Sequence, residues 1–311
     1  MNYGKTNKKK NLLGLKDLSR QDIENILQQA TLFKEIFNRP VKKLPTLQNK
    51  VLVPLFYEAS TRTKASFDMA MKMLGAGSLG FAVQTSSISK GETLIDTVKN
   101  LESMGIDGII VRHNMAGAAQ LIANNVNISV INAGDGFNEH PTQALLDMFT
   151  MIEEKGYIEG KKVAIIGDIY HSRVARSNIW GLTKLGAKVV VCGPPSLIPE
   201  GIETMGVTVT HKVEEAIDGA DFINVLRVQF ERQKGNFFPS VREYYREYGI
   251  TPQRLKKAKD DVILMHPGPM NRGIEISTEV ADGPYNVILE QVKNGVSVRM
   301  AVLYLLLMGG L

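Results

Sequence analysis

The sequence predicts an α/β protein made of two doubly wound parallel-sheet domains. Three observations lead to this prediction. The chain has 311 residues, which suits two domains of ordinary size rather than one small core. Short runs of β-branched residues alternate with segments of helical periodicity along the chain. No internal repeat or low-complexity segment interrupts this alternation.

Four strands are predicted in the first half of the chain. They are VLVPLF (51–56), GSLGFAV (77–83), GIIVR (108–112) and ISVIN (128–132). Between the first two, apolar residues recur at helical spacing over 67–74, and Gly75 and Gly77 suit the end of that helix.

Four further strands are predicted in the second half. They are KKVAIIGD (161–168), AKVVVCG (187–193), DFINVL (221–226) and DVILM (261–265). A helix over 142–152 is expected to connect the two halves, with the domain boundary near 155–161. A last helix, from 287 to about 307, is apolar enough to be buried against either domain.

The composition argues against several classes of protein. Cys192 is the only cysteine, so no disulfide framework or cysteine-rich metal site is expected, and a reducing compartment is favoured. The five histidines are dispersed without metal-ligand spacing, so no metal is expected. The N-terminal residues lack the apolar core of a signal peptide, and no apolar run reaches the length of a membrane span. We therefore expect a cytoplasmic protein with no membrane partner.

The formal net charge of +5 leaves two kinds of anionic partner to consider. Lysine and arginine are scattered among nearly as many acidic residues, which favours a solvated surface over a nucleic-acid groove. Nucleic acid is therefore not expected as a partner. The second kind of partner, a small anionic substrate, is compatible with this charge.

The stretch YEASTRTKASF, at 57–67, follows directly on the first predicted strand. A strand that leads into a helix presents unpaired backbone N–H groups and the positive end of the helix dipole, which suits a phosphate. Ser60, Thr61 and Thr63 add hydroxyl groups, and Arg62 adds a guanidinium. In the alternative interpretation Ser60 or Thr61 only caps the helix, but capping does not account for Arg62.

Polar or basic residues follow five other predicted strands as well. These residues are Arg112 and His113, His140 and Gln143, Arg173, Arg227 and Gln229, and the segment His266, Pro267, Gly268 and Pro269. Open α/β sheets bind ligands beyond the carboxyl ends of their strands. The six junctions, divided between the two halves, therefore predict one composite anion site.

Seven segments together resemble the catalytic chain of the aspartate carbamoyltransferase family. They are YEASTRTKASF, SKGETLIDT, VRHNMAGAA, NAGDGFNEHPTQALLD, RVQFER, HPGPMNRGIEI and NGVSVRMAVL. The resemblance implies transfer of the carbamoyl group of carbamoyl phosphate to L-aspartate, an early step of pyrimidine synthesis, with no cofactor. It also implies a carbamoyl-phosphate-binding domain over 1–150, to which a C-terminal helix at 286–311 returns. An aspartate-binding domain follows over 151–285, with the active site in the interdomain cleft.

The resemblance further implies a role for each matching residue. The phosphate of carbamoyl phosphate is held by Ser60, Thr61, Arg62, Thr63 and Arg112. Its carbonyl oxygen is bound by His140, Thr63 and Arg112. Its amino group is oriented by Gln143 and the segment Pro267, Gly268 and Pro269. The aspartate carboxylates are bound by Arg173, Arg227 and Gln229. Ser86 and Lys90 enter the active site of a neighbouring subunit in a homotrimer, where Lys90 binds aspartate and acts in catalysis. Glu58 joins Arg173 and Arg232 when the domains close.

The chemistry of carbamoyl transfer agrees with this set. Attack by an amine builds negative charge on the carbonyl oxygen and on the departing phosphate, so fixed cations and donors are needed rather than a protein nucleophile. Two carboxylates call for two guanidinium groups, and Arg173 and Arg227 supply them. His113 and His171 have no role in the resemblance and are expected to be structural or surface residues.

Three other functions share features with the sequence. Ornithine carbamoyltransferase shares the phosphate motif but typically has a His-Cys-Leu-Pro stretch, where this chain has His-Pro-Gly-Pro at 266–269. A nicotinamide-dependent enzyme is suggested by the strand, turn and helix of 161–182, which lack the GxGxxG glycines. A noncatalytic anion- or nucleic-acid-binding protein would need its basic residues to line one face without converging. Whether a regulatory chain or a dihydroorotase associates is not indicated by the sequence.

Overall fold

The computed structural model of the protein describes residues 11–80, 91–228 and 240–310. It contains two parallel sheets. The first has the strand order β2-β1-β3-β4, and the second has the order β7-β6-β5-β8-β9. The strands are β1 (Val51–Phe56), β2 (Gly77–Ser78), β3 (Gly108–His113), β4 (Ser129–Asp135), β5 (Lys162–Ile166), β6 (Lys188–Cys192), β7 (Thr208–Thr210), β8 (Phe222–Val225) and β9 (Ile263–Met265).

Helices connect the strands and cover both faces of the sheets. They are α1 (Arg20–Lys34), α2 (Thr61–Leu74), α3 (Leu94–Ser103), α4 (Ala118–Asn125), α5 (Pro141–Lys155), α6 (Arg173–Lys184), α7 (Val213–Ile217), α8 (Val241–Tyr248), α9 (Pro252–Leu255), α10 (Thr278–Ala281) and α11 (Ile288–Met308). The prediction of two doubly wound parallel-sheet domains is confirmed.

Local sequence explains one end of each of the helices α1, α2 and α5. Helix α2 ends at Gly75, whose φ of 74° is the left-handed conformation that glycine adopts without strain. Helix α5 begins with Pro141 at its first position, where the missing N–H costs nothing. Helix α1 has a capping box formed by Ser19 and Asp22. These signals fix the ends of helices that carry or support the cavity described below.

Each sheet has one point where the strand order reverses. In the first sheet it lies between β1 and β3, which pair in register from Leu52–Gly108 to Phe56–Arg112. In the second it lies between β5 and β8, which pair from Val163–Phe222 to Ile166–Val225. The connections leave in opposite directions at such a point, and a crevice opens beyond the carboxyl ends of the two strands.

The two sheets share a central hydrophobic core. Buried side chains of α1, α2, α5, α6 and α11 form one continuous cluster with residues of both sheets, from Ile110 and Ile131 to Val163 and Phe222. Two separate clusters cover the outer faces of the first and second sheets. Helix α11 packs against α1, α2 and α5. In the described ranges, no helix combines the length and apolarity that a membrane crossing requires.

Two details of the strand predictions need correction. Strand β2 was predicted over 77–83 but comprises Gly77–Ser78, and the predicted run from 81 onward lies outside the described residues. Strand β7 was not predicted, because its three residues, Thr208–Thr210, include two polar threonines and form the edge of the sheet.

Candidate active site

One large cavity lies at the carboxyl ends of both sheets and has a volume of about 1340 Å³. Its wall contains every residue proposed for the site that the structure describes. These thirteen residues are Glu58, Ser60, Thr61, Arg62, Thr63, Arg112, His140, Gln143, Arg173, Arg227, Pro267, Gly268 and Pro269. Ser86, Lys90, Gln229 and Arg232 lie outside the described residues. Both crevices therefore open into a single space.

The phosphate motif lies at the N-terminus of α2, directly beyond β1. Ser60 is the N-cap residue, but its side chain makes no capping hydrogen bond. The first intrahelical bond of this turn runs from the Lys64 N–H to the Ser60 carbonyl, at 3.2 Å. The N–H groups of Thr61, Arg62 and Thr63 precede it and have no intrahelical acceptor. This helix end has the features of an anion site.

Arg62 packs against the segment that follows β9. Gly268 has a φ of 61°, and the Arg62 guanidinium occupies the space that a side chain at position 268 would need. Burial lowers the pKa of Arg62, and the positive charge of Arg227 lowers it further. The two cations are therefore close enough to repel each other, and an anion between them would relieve this repulsion.

A carboxylate links the two halves of the cavity. Glu58 Oε2 accepts a hydrogen bond from Arg173 Nη2 at 2.6 Å and lies 3.3 Å from Arg112 Nε. Arg173 Nη1 also donates to the carbonyl of Gly136, beyond β4, at 3.2 Å. Arg173 is the first residue of α6, so its side chain reaches from the second sheet to the first. The pairing of Glu58 with Arg112 was not predicted from the sequence.

The backbone of His140 is held by the side chain of a residue on α6. It is the N-cap residue of α5, and its N–H donates to Ser177 Oγ of α6 at 2.8 Å. Ser177 in turn donates to the buried Glu139 carboxylate at 2.8 Å, and Glu139 also accepts from the Leu15 N–H at 2.7 Å. Burial raises the pKa of Glu139, and these hydrogen bonds oppose the rise. The position of His140 thus depends on both α5 and α6.

Gln143 and the His266 segment form the remaining wall. Gln143 Nε2 donates to Asp147 Oδ1 at 2.9 Å. Burial raises the pKa of Asp147 to about 6, although four amide hydrogen bonds oppose the rise. Burial also lowers the pKa of His266, which lies beside Pro267 and Gly268. The bond between Gly268 and Pro269 is cis.

The charge of the cavity wall is strongly unbalanced. Its described residues include five arginines, which are Arg62, Arg112, Arg173, Arg227 and Arg299, and a single carboxylate, Glu58. Arg299 lies on α11 and donates to Ser66 Oγ of α2 at 2.9 Å. A water-filled cleft lined by one sign of charge attracts ligands of the other sign. The site is therefore suited to a ligand with several negative charges.

Two histidines without a predicted role are engaged locally. His113 packs on the Tyr57 ring, and its Nδ1 accepts from the Met115 N–H at 2.9 Å. His171 lies in the cavity wall, and its Nδ1 is 3.0 Å from Asp168 Oδ1.

Sequence reasoning missed three polar residues that lie in or behind the cavity wall, Asp147, Gln291 and Arg299. The sequence signal that could have identified them is a polar residue on the otherwise apolar face of a helix.

Two family models match the chain. The carbamoyl-phosphate-binding domain of aspartate/ornithine carbamoyltransferases matches residues 10–153, and the aspartate/ornithine-binding domain matches residues 159–306. The chain is 58% identical to the aspartate carbamoyltransferase catalytic subunit of Desulfosudis oleivorans, over 97% of this chain and 96% of that protein. It is also 58% identical to the corresponding subunit of Moorella thermoacetica, over 97% and 98% of the two chains.

Solved structures of both enzyme types are similar to the chain. Aspartate transcarbamoylase from Trypanosoma cruzi, in complex with N-(phosphonacetyl)-L-aspartic acid, has a TM-score of 0.86 and 33% identity, and 95% of each chain is covered. Ornithine carbamoyltransferase from Pyrococcus furiosus has a TM-score of 0.87 and 32% identity, over 97% of this chain and 98% of that chain. The shape alone therefore does not separate the two types, whereas the 58% identities are to aspartate enzymes. The chain belongs to the aspartate/ornithine carbamoyltransferase family and, within it, to the aspartate carbamoyltransferase catalytic subunits.

Proposed function

We propose that the chain transfers the carbamoyl group of carbamoyl phosphate to the amino group of L-aspartate, giving N-carbamoyl-L-aspartate and phosphate. The observation that carries this proposal is the single cavity in which the open N-terminus of α2 faces arginines from both sheets. The acceptor is assigned from the 58% identity to aspartate carbamoyltransferase catalytic subunits. The product supplies pyrimidine synthesis.

The carbamoyl phosphate half of the site belongs to the first sheet. The phosphate lies at the N-terminus of α2, where the Ser60, Thr61 and Thr63 hydroxyl groups and the Arg62 guanidinium surround it. Arg112 contacts both the phosphate and the carbonyl oxygen, and His140 donates to that oxygen. These groups are in place before the reaction and stabilise the negative charge that builds in the transition state. Such preorganised stabilisation is usually the largest single contribution to catalysis. No covalent intermediate with the protein is needed.

The aspartate half lies nearer the second sheet. Arg173 and Arg227 bind the two carboxylates, helped by Gln229. Arg173 has five N–H donors and can hold the Glu58 carboxylate and a substrate carboxylate together. Arg227 follows β8 at the point where the strand order of the second sheet reverses, so it faces the same space as Arg173. Glu58 and Arg232 complete the closed state of the domains.

The enzyme is further proposed to be a cytoplasmic homotrimer in which Ser86 and Lys90 serve the neighbouring subunit. The resemblance of SKGETLIDT to the family supports this assignment. Lys90→Gln and His140→Ala homotrimers are each expected to be nearly inactive. Random mixing of the two should restore about one quarter of the activity, because a quarter of the interfaces join two intact residues. Verified subunit exchange without recovery would mean that Lys90 acts within its own chain.

An assay with two acceptors tests the proposed reaction. The purified protein is supplied with carbamoyl phosphate and either L-aspartate or L-ornithine, and carbamoylated product is measured. We expect carbamoyl-aspartate as the product and no citrulline. Preferential formation of citrulline would assign the chain to the ornithine reaction, and absence of both products would refute carbamoyl transfer.

A further inference from the structure

A buried carboxylate, Asp147, lies on α5 behind the residues proposed to contact substrate. Its side chain is fully buried and accepts hydrogen bonds from four amide groups. Gln143 and Gln291 donate to Oδ1 at 2.9 and 2.8 Å. Asn178 and Asn224 donate to Oδ2 at 2.8 and 3.4 Å. An ionised carboxylate offers only acceptors, so each of these amides must turn its NH₂ group towards Asp147.

The orientation of Gln143 follows from this contact. Its Nε2 is committed to Asp147, so its Oε1 is the end left for the cavity that Gln143 lines. Gln291 is oriented in the same way. Its Nε2 donates to Asp147, and its Oε1 accepts from the backbone N–H of His266 at 3.0 Å. Asp147 and Gln291 therefore connect the Gln143 amide on α5 to the segment that follows β9.

The His266 segment is fixed by a second set of contacts. His266 Nδ1 accepts from the Gly268 N–H at 2.7 Å, so in the neutral ring Nε2 carries the proton. That nitrogen lies 3.2 Å from Glu275 Oε1, to which it donates. The N–H and C=O groups of a trans peptide point in opposite directions. The Pro267 carbonyl therefore points away from the imidazole, on a residue that lines the cavity.

The network thus holds two hydrogen-bond acceptors in fixed orientations, Gln143 Oε1 and the Pro267 carbonyl. We propose that Asp147 and Gln291 are positioning residues that make this part of the site select a substrate bearing an NH₂ group. The selection is against an equal-sized CH₃ group, which has no proton to donate. The inference rests on the proposed function, because it assigns this part of the cavity to the carbamoyl amino group.

A purely structural role makes a different prediction. Thr150 lies one turn beyond Asp147 on α5, and Asn294 lies one turn beyond Gln291 on α11. Asn294 Nδ2 donates to Thr150 Oγ1 at 2.9 Å, and both residues are buried. This pair ties the same two helices together, but neither residue lines the cavity described above. Thr150→Val is therefore a matched control for loss of a buried bond between α5 and α11.

The test uses three stable ligands and isothermal titration calorimetry with the intact protein. Phosphonoacetamide carries the NH₂ group, 2-oxopropylphosphonate replaces it with CH₃, and inorganic phosphate occupies only the phosphate part of the site. Gln291→Met keeps the length of the side chain but removes both of its hydrogen bonds. We expect its Kd for phosphonoacetamide to rise about tenfold, the effect of one lost hydrogen bond, with less than twofold change for the other two ligands. Thr150→Val should change all three by less than twofold.

Asp147→Leu is the second variant and should show the same selective loss; if it does not fold, Gln291→Met decides the question. An equal loss of affinity for all three ligands, or no loss for any, would overturn the inference. Wild-type protein that binds the amide and the methyl ketone equally well would overturn it too. Failure of the proposed function is separate, since it appears as wild-type protein that forms no carbamoyl-aspartate.

Discussion

The two strand-to-helix junctions β1–α2 and β5–α6 occupy corresponding positions in the two sheets, but the helices that follow them are capped differently. At the first, Ser60 makes no capping hydrogen bond, so the N-terminus of α2 stays open to an anion. At the second, Ser172 accepts from the Ala175 N–H at 3.1 Å and caps α6 with its own side chain. The second junction then contributes Arg173 to the cavity.

The difference fits the shapes of the two anions proposed for these junctions. A phosphate presents oxygens in several directions and suits the converging N–H groups of a helix end. A carboxylate is planar and suits the guanidinium fork. On the proposed assignments, one architecture repeated in two domains holds two kinds of anion, and the two junctions differ in whether the serine side chain caps the helix.

The largest effect is expected from removal of the cation at the open junction. Arg62→Ala should lower kcat at least about 100-fold, because it removes the positive charge that stabilises the negative charge building on the departing phosphate. Folding should survive, since Arg62 projects into the cavity. Steady-state kinetics measures the loss, and Arg20→Ala, which changes an exposed arginine of the same domain, is the control. Near-normal turnover by Arg62→Ala would show that the phosphate does not bind at this junction.

An intermediate effect is expected from pH, because Asp147 joins α5 to residues of both α6 and β8. With a pKa of about 6, Asp147 is roughly one-tenth ionised at pH 5. Protonation puts a donor among four amide donors. The ratio of the Kd for phosphonoacetamide to that for 2-oxopropylphosphonate should therefore rise up to about tenfold between pH 7 and pH 5. The methyl ketone controls for titration of the phosphonate, and a constant ratio would show that Asp147 does not act on this part of the site.

The same titration should affect stability in the opposite way: the unfolding free energy should rise as pH falls, whereas ligand affinity should fall. The folded-state pKa of Asp147 is raised above its usual value, so its contribution to stability is full at low pH and is lost as pH rises through about 6. Relative to Asp147→Asn, the wild-type unfolding free energy should therefore increase by roughly 1 kcal/mol from pH 7 to pH 5. Thermal unfolding of the two proteins at both pH values measures this difference.

The smallest effects are expected from Ser60 and Ser172. One substitution should affect phosphate binding and the other should affect stability. Ser60→Ala should weaken binding of inorganic phosphate about fivefold and leave stability nearly unchanged, because this hydroxyl makes no cap. Ser172→Ala should lower the unfolding free energy by about 1 kcal/mol and leave phosphate binding unchanged. Calorimetric titration and thermal unfolding of both variants check this. If Ser172→Ala weakened phosphate binding more than Ser60→Ala, the comparison of the two junctions would be wrong.

The sequence predicted those parts of the molecule that depend on local signals. The run VLVPLF gave β1 with its observed ends, Val51–Phe56, and the apolar spacing before Gly75 gave the C-terminal half of α2. Polar residues after successive strands predicted one composite site, and those that the structure describes line one cavity. The parts that were missed depend on contacts between distant residues. Asp147 stands among apolar residues in ALLDMF, and its partners Asn224 and Gln291 lie 77 and 144 residues away.

The central claim is that two half-sites, one in each domain, act on a single ligand. Calorimetric titration with N-(phosphonacetyl)-L-aspartate tests it most directly, because this compound carries both halves. Wild-type protein should bind it at least about 100-fold more tightly than phosphonoacetamide or succinate, since the second half binds at high effective concentration. Arg227→Ala should abolish most of this gain while leaving phosphonoacetamide affinity largely intact. The claim is contradicted if the linked compound binds no more tightly than phosphonoacetamide, or if Arg227→Ala weakens both ligands equally.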